Sequence, residues 1–257
     1  MYLDKILAKH RQIASRDDRP LSDLVVLAEQ SGSPRGFADR LREDSKSSLA
    51  VIAEVKRRSP SRGLLSQDLQ PDVIATQYQR AGASCISVLT DSEFFGGSPE
   101  DLQKVRIASD LPVLRKDFTV SLRDICDAKI MNADCVLLIA SALSPIELKQ
   151  FHNFAKDFEL DVLVEVHDEV ELEVAIDVGA SMIGVNQRDL KTFQVDQQRA
   201  VNMAPKIPSS FLRVAESGVK SRQDAQQLRD AGYHAILVGE TLVTSTDISK
   251  TLGDLRV

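Results

Sequence analysis

A closed barrel of alternating β-strands and α-helices is the fold class predicted by three features of this 257-residue sequence. Eight short runs rich in Val, Ile and Leu recur along it. Their starts lie 21 to 36 residues apart, room each time for one helix and two loops. The runs are apolar on both faces, as strands of a parallel sheet covered by helices must be, and the segments between them carry a helical period. Together these predict an α/β protein, a single (β/α)8 TIM barrel. An open doubly wound sheet is the structural alternative, but it would place a glycine-rich fingerprint after its first strand, and no GxGxxG occurs.

Taken in order, the strand candidates are Leu49–Val55, Cys85–Thr90, Pro112–Phe118, Cys135–Ala140, Asp161–Val166, Met182–Gln187, Phe211–Ser217 and Ala235–Glu240. Ahead of the first, residues 1–47 read as a helical N-terminal extension (Leu3–Ile13, Leu21–Gln30, Phe37–Arg42), with the barrel over 48–257. A barrel does not need these helices, so they are expected to cap its bottom or help close its top. Between strands, SPIELKQFHNFAKDF spaces Ile146, Leu148, Phe151, Phe154, Ala155 and Phe158 at a helical period behind a Ser144-Pro145 start. SRQDAQQLRDAG repeats the form, with Ser221 as cap and Gly232 as stop.

Composition bounds the class. A hydrophobic fraction of 43% supports a real core, and 27% charged residues with a net charge of −6 argue against a disordered chain or one drawn to nucleic acid or anionic lipid. The longest apolar stretch, Cys135–Leu143, is far short of the roughly 20 residues needed to span a bilayer. The opening segment is charged throughout, unlike a secretory signal. Cys85, Cys126 and Cys135 form no CxxC pair and the four histidines show no zinc spacing, so the cysteines read as buried hydrophobes of a cytoplasmic protein and no metal site is expected.

Barrel enzymes carry their chemistry at the C-terminal ends of the strands. Here those ends hold Glu54 and Lys56, Lys116, Glu165, Asn186 and Glu216. Glu54 and Lys56 share the parity of Ala50 and Ile52 and point the same way. Lysine and glutamate are rarely buried unless paired, so six polar groups converging from five strands predict a site. Burial is expected to lower the lysine pKa values and raise the glutamates, with mutual fields tuning both. Arg115 and Asp117 have the opposite parity and are expected to face helices or the loop. Ser217-Gly218 after the seventh strand and Gly239 at the eighth stand where barrels bind phosphate. Ser59 to Gly63 adds hydroxyls and a cation near the same rim.

These residues carry a family resemblance. IAEVKRRSPSRG (Ile52–Gly63), LTDSEFFGGS (Leu89–Ser98), VLRKDF (Val113–Phe118), LVEVH (Leu163–His167), GVNQRDL (184–190), AESG (Ala215–Gly218) and LVGE (Leu237–Glu240) resemble, in order and spacing, the motifs of indole-3-glycerol phosphate synthases. PRGF (Pro34–Phe37) in the extension belongs to the same match. The resemblance implies conversion of 1-(2-carboxyphenylamino)-1-deoxyribulose 5-phosphate to indole-3-glycerol phosphate in tryptophan biosynthesis, with loss of carbon dioxide and water and without metal or organic cofactor. It implies Lys116 as the general acid on the ketone and Glu165 in the proton transfers of dehydration. Glu54 and Lys56 would flank the reacting carbon and the carboxylate, and Asn186 and Glu216 would position the substrate. Ser59, Ser217, Gly218, Gly239 and Glu240 would contribute to the phosphate end, with Arg188 and Phe118 completing the binding set. Phe94 and Phe95, in one of two loops expected to gate the site (Arg57–Gly63 and Asp91–Ser98), are expected to pack against the anthranilate ring. Gln187 stands where asparagine or serine is common in the family.

Two other readings compete. Phosphoribosylanthranilate isomerase would be expected to use a cysteine and aspartate pair at strand ends, where the first strand here offers Glu54 and Lys56. A silent barrel acting as a binding partner would be expected to lack a rim charge, and none is missing. No second barrel or amidotransferase segment follows, so one activity is expected. The expected partners are a small phosphorylated substrate and other tryptophan-pathway enzymes, with no nucleic acid and no membrane.

Overall fold

The computed structural model describes residues 2–59, 62–189 and 192–257. Its eight parallel strands are β1 (Ala50–Val55), β2 (Cys85–Leu89), β3 (Val113–Lys116), β4 (Cys135–Ile139), β5 (Asp161–Val166), β6 (Met182–Asn186), β7 (Leu212–Glu216) and β8 (Ala235–Val238). Each pairs with the next, and β8 returns to β1 through Ala50–Ala235 and Ile52–Leu237, closing the barrel. All eight predicted strands are present, Asp161–Val166 with its bounds unchanged and the others trimmed by a residue or two at their ends.

Helices α4 (Pro71–Arg80), α5 (Pro99–Ala108), α6 (Leu122–Ile130), α7 (Pro145–Asp157), α8 (Glu169–Asp177), α9 (Gln198–Met203) and α10 (Arg222–Asp230) alternate with them, and α11 (Glu240–Val243) and α12 (Ile248–Leu255) follow β8. The predicted starts hold: Ser144 and Ser221 each accept the backbone N–H three residues on, while Glu147 and Asp224 reach back to the cap, satisfying amides that a helix start otherwise orphans. Gly232 ends α10 at φ +91°, a conformation that costs residues with a β-carbon.

The extension comprises α1 (Tyr2–Arg16), α2 (Leu21–Glu29) and α3 (Phe37–Ser45), and it serves both ends of the barrel. Around α3 the contacts are with strand starts: the Ala38 amide donates to Asp161 (2.8 Å), and Phe37 and Leu41 are fully buried. Just before it, the Arg35 amide donates to Asp134 and its guanidinium to the Ser109 and Leu111 carbonyls. In contrast, α1 meets the loops after the strands: His10 bonds Asp91, and Arg11 bonds Glu147 and the Ala142 carbonyl. Helix α1 runs three residues beyond its predicted end, as does α3, because polar exposed turns carry no apolar period to read. Among the described residues no helix is long and apolar enough to cross a membrane.

Candidate active site

The C-terminal mouth of the barrel encloses a cavity, and fourteen of the residues expected at the site line it. Glu54, Lys56, Lys116, Glu165, Asn186 and Glu216 are there from the strands, and Ser59, Arg188, Ser217, Gly218, Gly239, Glu240, Phe95 and Phe118 from the loops. Leu137, Ile139 and Leu237 supply an apolar floor and wall. Of the expected loop Arg57–Gly63, Pro60 and Ser61 lie outside the described residues, as does Leu190 of the GVNQRDL stretch.

The charges are arranged in two linked groups. On β1 and just after it, Lys56 forms an ion pair with Glu54. Across the barrel, Lys116 Nζ lies 3.5 Å from Glu165 Oε2 and 3.6 Å from Glu216 Oε2. The Asn186 side-chain amide donates to Glu165 Oε1 (3.1 Å), and His167 Nε2 stands 3.5 Å from the same oxygen. His167 is itself held by Glu171 at 3.0 Å.

Burial does not act on these groups as the sequence reading expected. It works against the Lys116 ammonium, yet Glu165, Glu216 and Glu54 together outweigh it and hold Lys116 above the ordinary lysine range. Burial raises Glu165 too, but Lys116, His167 and the Asn186 amide overcome it and keep that carboxyl low. Only at Glu216 does burial prevail: with the Glu165 charge beside it, its pKa is pushed up to about 8 despite Lys116. The two carboxyls around one ammonium are thereby driven apart, Glu165 toward the ionised form and Glu216 toward the protonated one.

The turn after β7 is held from outside. Ser217 and Gly218 are successive left-handed residues at φ +69° and +80°. Gln187 donates to the Ser217 carbonyl (2.7 Å), Gln197 to the Gly218 carbonyl (2.9 Å) and Thr241 to the Val219 carbonyl (2.7 Å). With three successive carbonyls engaged by side chains, the N–H groups of the turn are the ones left to suit an anion. Nearby, Arg62 reaches Glu240 at 2.8 Å, tying the loop after β1 to the start of α11.

Two expectations divide. Phe95 lines the cavity, but Phe94 is buried beneath the edge of the Tyr2 ring (5.9 Å) and does not line it. Arg115 turns outward as its parity requires, donating to the Asp124 carbonyl (2.6 Å), while Asp117 also reaches the cavity wall. Sequence reasoning missed His167, Gln197, Thr241, Phe193 and Lys220. His167 and Gln187 stood inside quoted motifs, but nothing local to them told which group they would touch. The three cysteines are free and buried, Cys85 and Cys135 opening their strands at the end away from the mouth, so no thiol serves an isomerase-type pair there.

A parallel eight-stranded barrel with ammonium and carboxyl groups side by side in its mouth has the architecture of a barrel enzyme equipped for proton transfer. Comparison with known proteins specifies which. The family model described as indole-3-glycerol phosphate synthase matches residues 3–255. The indole-3-glycerol phosphate synthase of Chlorobium luteolum is 47% identical over 251 residues, covering 96% of this chain and 95% of the relative. That of Chloroherpeton thalassium is 46% identical over 247 residues, covering 95% of each. This chain belongs to the indole-3-glycerol phosphate synthase family, and its activity is the carboxy-lyase reaction that forms indole-3-glycerol phosphate in tryptophan biosynthesis. Among solved structures, a thiamine phosphate pyrophosphorylase from Pyrococcus furiosus superposes with a TM-score of 0.59 at 16% identity, covering 83% of this chain and 95% of that one. This likeness is one of fold alone.

Proposed function

We propose that the fourteen cavity residues divide the reaction among three zones. In the first, Lys116 is the general acid. Closing an aryl carbon onto a ketone builds negative charge on oxygen, and a cationic ammonium held in place by two carboxyls is suited to meet it with a proton. Loss of carbon dioxide then returns an electron pair to the ring. Glu165, kept ionised, is the base for the proton lost in dehydration, while the hydroxyl leaves as water with a proton from an acid of the same cluster. Asn186 orients Glu165, and Glu216 positions the substrate.

The second zone, Glu54 with Lys56, flanks the reacting carbon and the substrate carboxylate, and Phe95 and Phe118 form the wall for its aryl ring. In the third, the phosphate sits against Ser217, Gly218, Gly239 and Glu240, with Ser59 and Arg188 contributing. Charge balance favours this scheme: Lys56–Glu54 and Lys116–Glu165 cancel, and a protonated Glu216 adds nothing, so an anionic substrate meets no net repulsion. The observation that carries the reading is Lys116 between Glu165 and Glu216.

The same reading takes residues 1–257 as one barrel unit, with 1–47 as its extension, working in the cytoplasm on a small phosphorylated substrate; co-purification tests the expected association with other enzymes of the pathway. Three free, buried cysteines are in keeping with that compartment. The sequence contains no tryptophan, so no indole of the protein adds to the product's fluorescence. Mixing the protein with the carboxyphenylamino-deoxyribulose phosphate in chelator-containing buffer is expected to give a rising signal that Lys116→Ala lacks. A folded protein giving no signal would sink the assignment.

A further inference from the structure

We infer that His10, on the N-terminal helix α1, is a positioning residue for the aryl wall of the cavity, its imidazole linking two carboxylates that each hold the backbone of a wall residue. The inference rests on the reading of Phe95 and Phe118 given above.

The connections run from one imidazole nitrogen, by a hydrogen bond to Asp91 and a longer ion-pair approach to Asp117. Asp91, just beyond β2, accepts His10 Nε2 on Oδ2 (3.0 Å) and the amides of Phe94 (2.6 Å) and Phe95 (3.0 Å) on Oδ1. Asp117, just beyond β3, accepts the Phe118 amide on Oδ1 (2.8 Å), and the same oxygen faces His10 Nε2 at 3.9 Å. The His10 ring lies against Phe118, with centroids 5.3 Å apart, and Phe118 meets Phe95 at 6.2 Å. One ring from the extension thus packs on Phe118 directly and reaches Phe95 through Asp91.

Donor atoms of His10, Asp91 and Asp117 fall within 4.8 Å of one another, a spacing a cation could use. The surroundings favour an ion pair instead: Arg115 already bonds Asp117 Oδ2 (3.1 Å), Thr90 donates to the same oxygen, and His10 occupies the free oxygen of Asp91. The charges facing His10 are Asp91, Asp117 and Asp124 from the barrel, with Arg115 behind Asp117. On its own helix Lys9 pairs with Glu93 and Arg11 with Glu147. Burial works against the imidazolium, but the bond to Asp91 and the charges of Asp117 and Asp91 hold its pKa above the ordinary 6.5. A raised histidine keeps its cationic hold at low pH and loses it as pH climbs through the folded-state value.

Docking of α1 has ties of its own, Arg11 to Glu147 and the Ala142 carbonyl and Tyr2 to Phe94 and Phe193, which separates wall positioning from mere attachment of the helix. The test compares kcat, KM and melting temperature for wild type, His10→Ala, His10→Gln, Arg11→Ala and Phe95→Ala from pH 6 to 9. His10→Ala is expected to raise KM about threefold to tenfold with kcat within about twofold, and Arg11→Ala to leave KM unchanged. His10→Gln keeps a donor without a charge, so its KM should exceed wild type at pH 6 and converge on it as pH rises past the His10 value. An unchanged KM in His10→Ala, an equal rise in Arg11→Ala, or a pH-independent ratio for His10→Gln overturns the assignment. If Phe95→Ala leaves KM unchanged, the aryl-wall reading itself fails and takes this inference with it. A raised KM in Phe95→Ala beside a normal one in His10→Ala overturns the His10 role alone.

Discussion

Gly184 on β6 lies beneath the carboxyl of Glu216 on β7: a β-carbon at position 184 would stand 2.1 Å from Glu216 Oε1 and 3.2 Å from Leu163 Cδ1. The same relation recurs between β8 and β1, where a β-carbon at Gly239, just after β8, would stand 2.2 Å from Glu54 Oε1. Both glycines give a carboxyl of the site room to lie across the backbone. Gly184→Ala is therefore expected to displace Glu216 and cost about 1–3 kcal/mol of stability through overpacking. Its activity loss should be non-additive with Glu216→Ala, since both remove the same placed carboxyl. Full additivity in the double variant would show that Glu216 is not what position 184 protects.

Lys116→Ala should lower kcat by on the order of 10² to 10⁴ with a lesser effect on substrate affinity, the signature of a proton donor used in the transition state. Near-full turnover in steady-state assays would refute the role.

Glu216 links the site to the pH dependence of stability. Its folded-state pKa, about 8, stands above the ordinary 4.5, so the fold binds a proton here that the unfolded chain releases. This contribution is fully present below 4.5 and declines as pH rises from 4.5 through 8. Glu216→Gln keeps a neutral side chain at all pH, and its melting temperature relative to wild type should climb from pH 5 to pH 9. A difference that stays flat across that range would mean Glu216 is not protonated in the fold.

Gly218 combines φ +80° with a neighbour, Val195 Cγ1, that would stand 2.5 Å from an added β-carbon. Gly218→Ala should distort the turn and raise KM by about tenfold or more, while also weakening competition by inorganic phosphate. Gln187→Leu, which withdraws the donor from the Ser217 carbonyl, should act in the same direction more weakly. Unchanged inhibition by phosphate in Gly218→Ala would remove the anion from this turn.

The adjacent phenylalanines should separate cleanly. Phe94→Ala should lower the melting temperature, costing about 3–5 kcal/mol as a buried aromatic. Phe95→Ala should raise KM with little change in melting. The reverse pattern would exchange their roles.

Much of this was legible in the chain. Periodicity and strand parity are local properties, so eight strands, their capped helices and the inward direction of Glu54, Lys56, Lys116, Glu165, Asn186 and Glu216 follow from residue order alone. Parity also sent Arg115 outward correctly. Residue order also brought those six side chains to the mouth, because a barrel delivers every strand end to one rim, but it did not place Asp117, Phe193, Lys220 or Thr241 there.

Tertiary structure decided what those side chains do to one another. Whether burial or a neighbouring charge sets a pKa depends on distances between residues far apart in the chain, here Lys116 between Glu165 and Glu216, so the opposite fates of the two carboxyls became readable only with the barrel closed. The split between Phe94 and Phe95 depends on the path of one turn, and the roles of α1 and α3 at opposite ends depend on contacts with strand ends and strand starts. Local pattern specifies the elements; the signs and strengths of interactions at the site come from the closure that brings distant charges within a few ångströms.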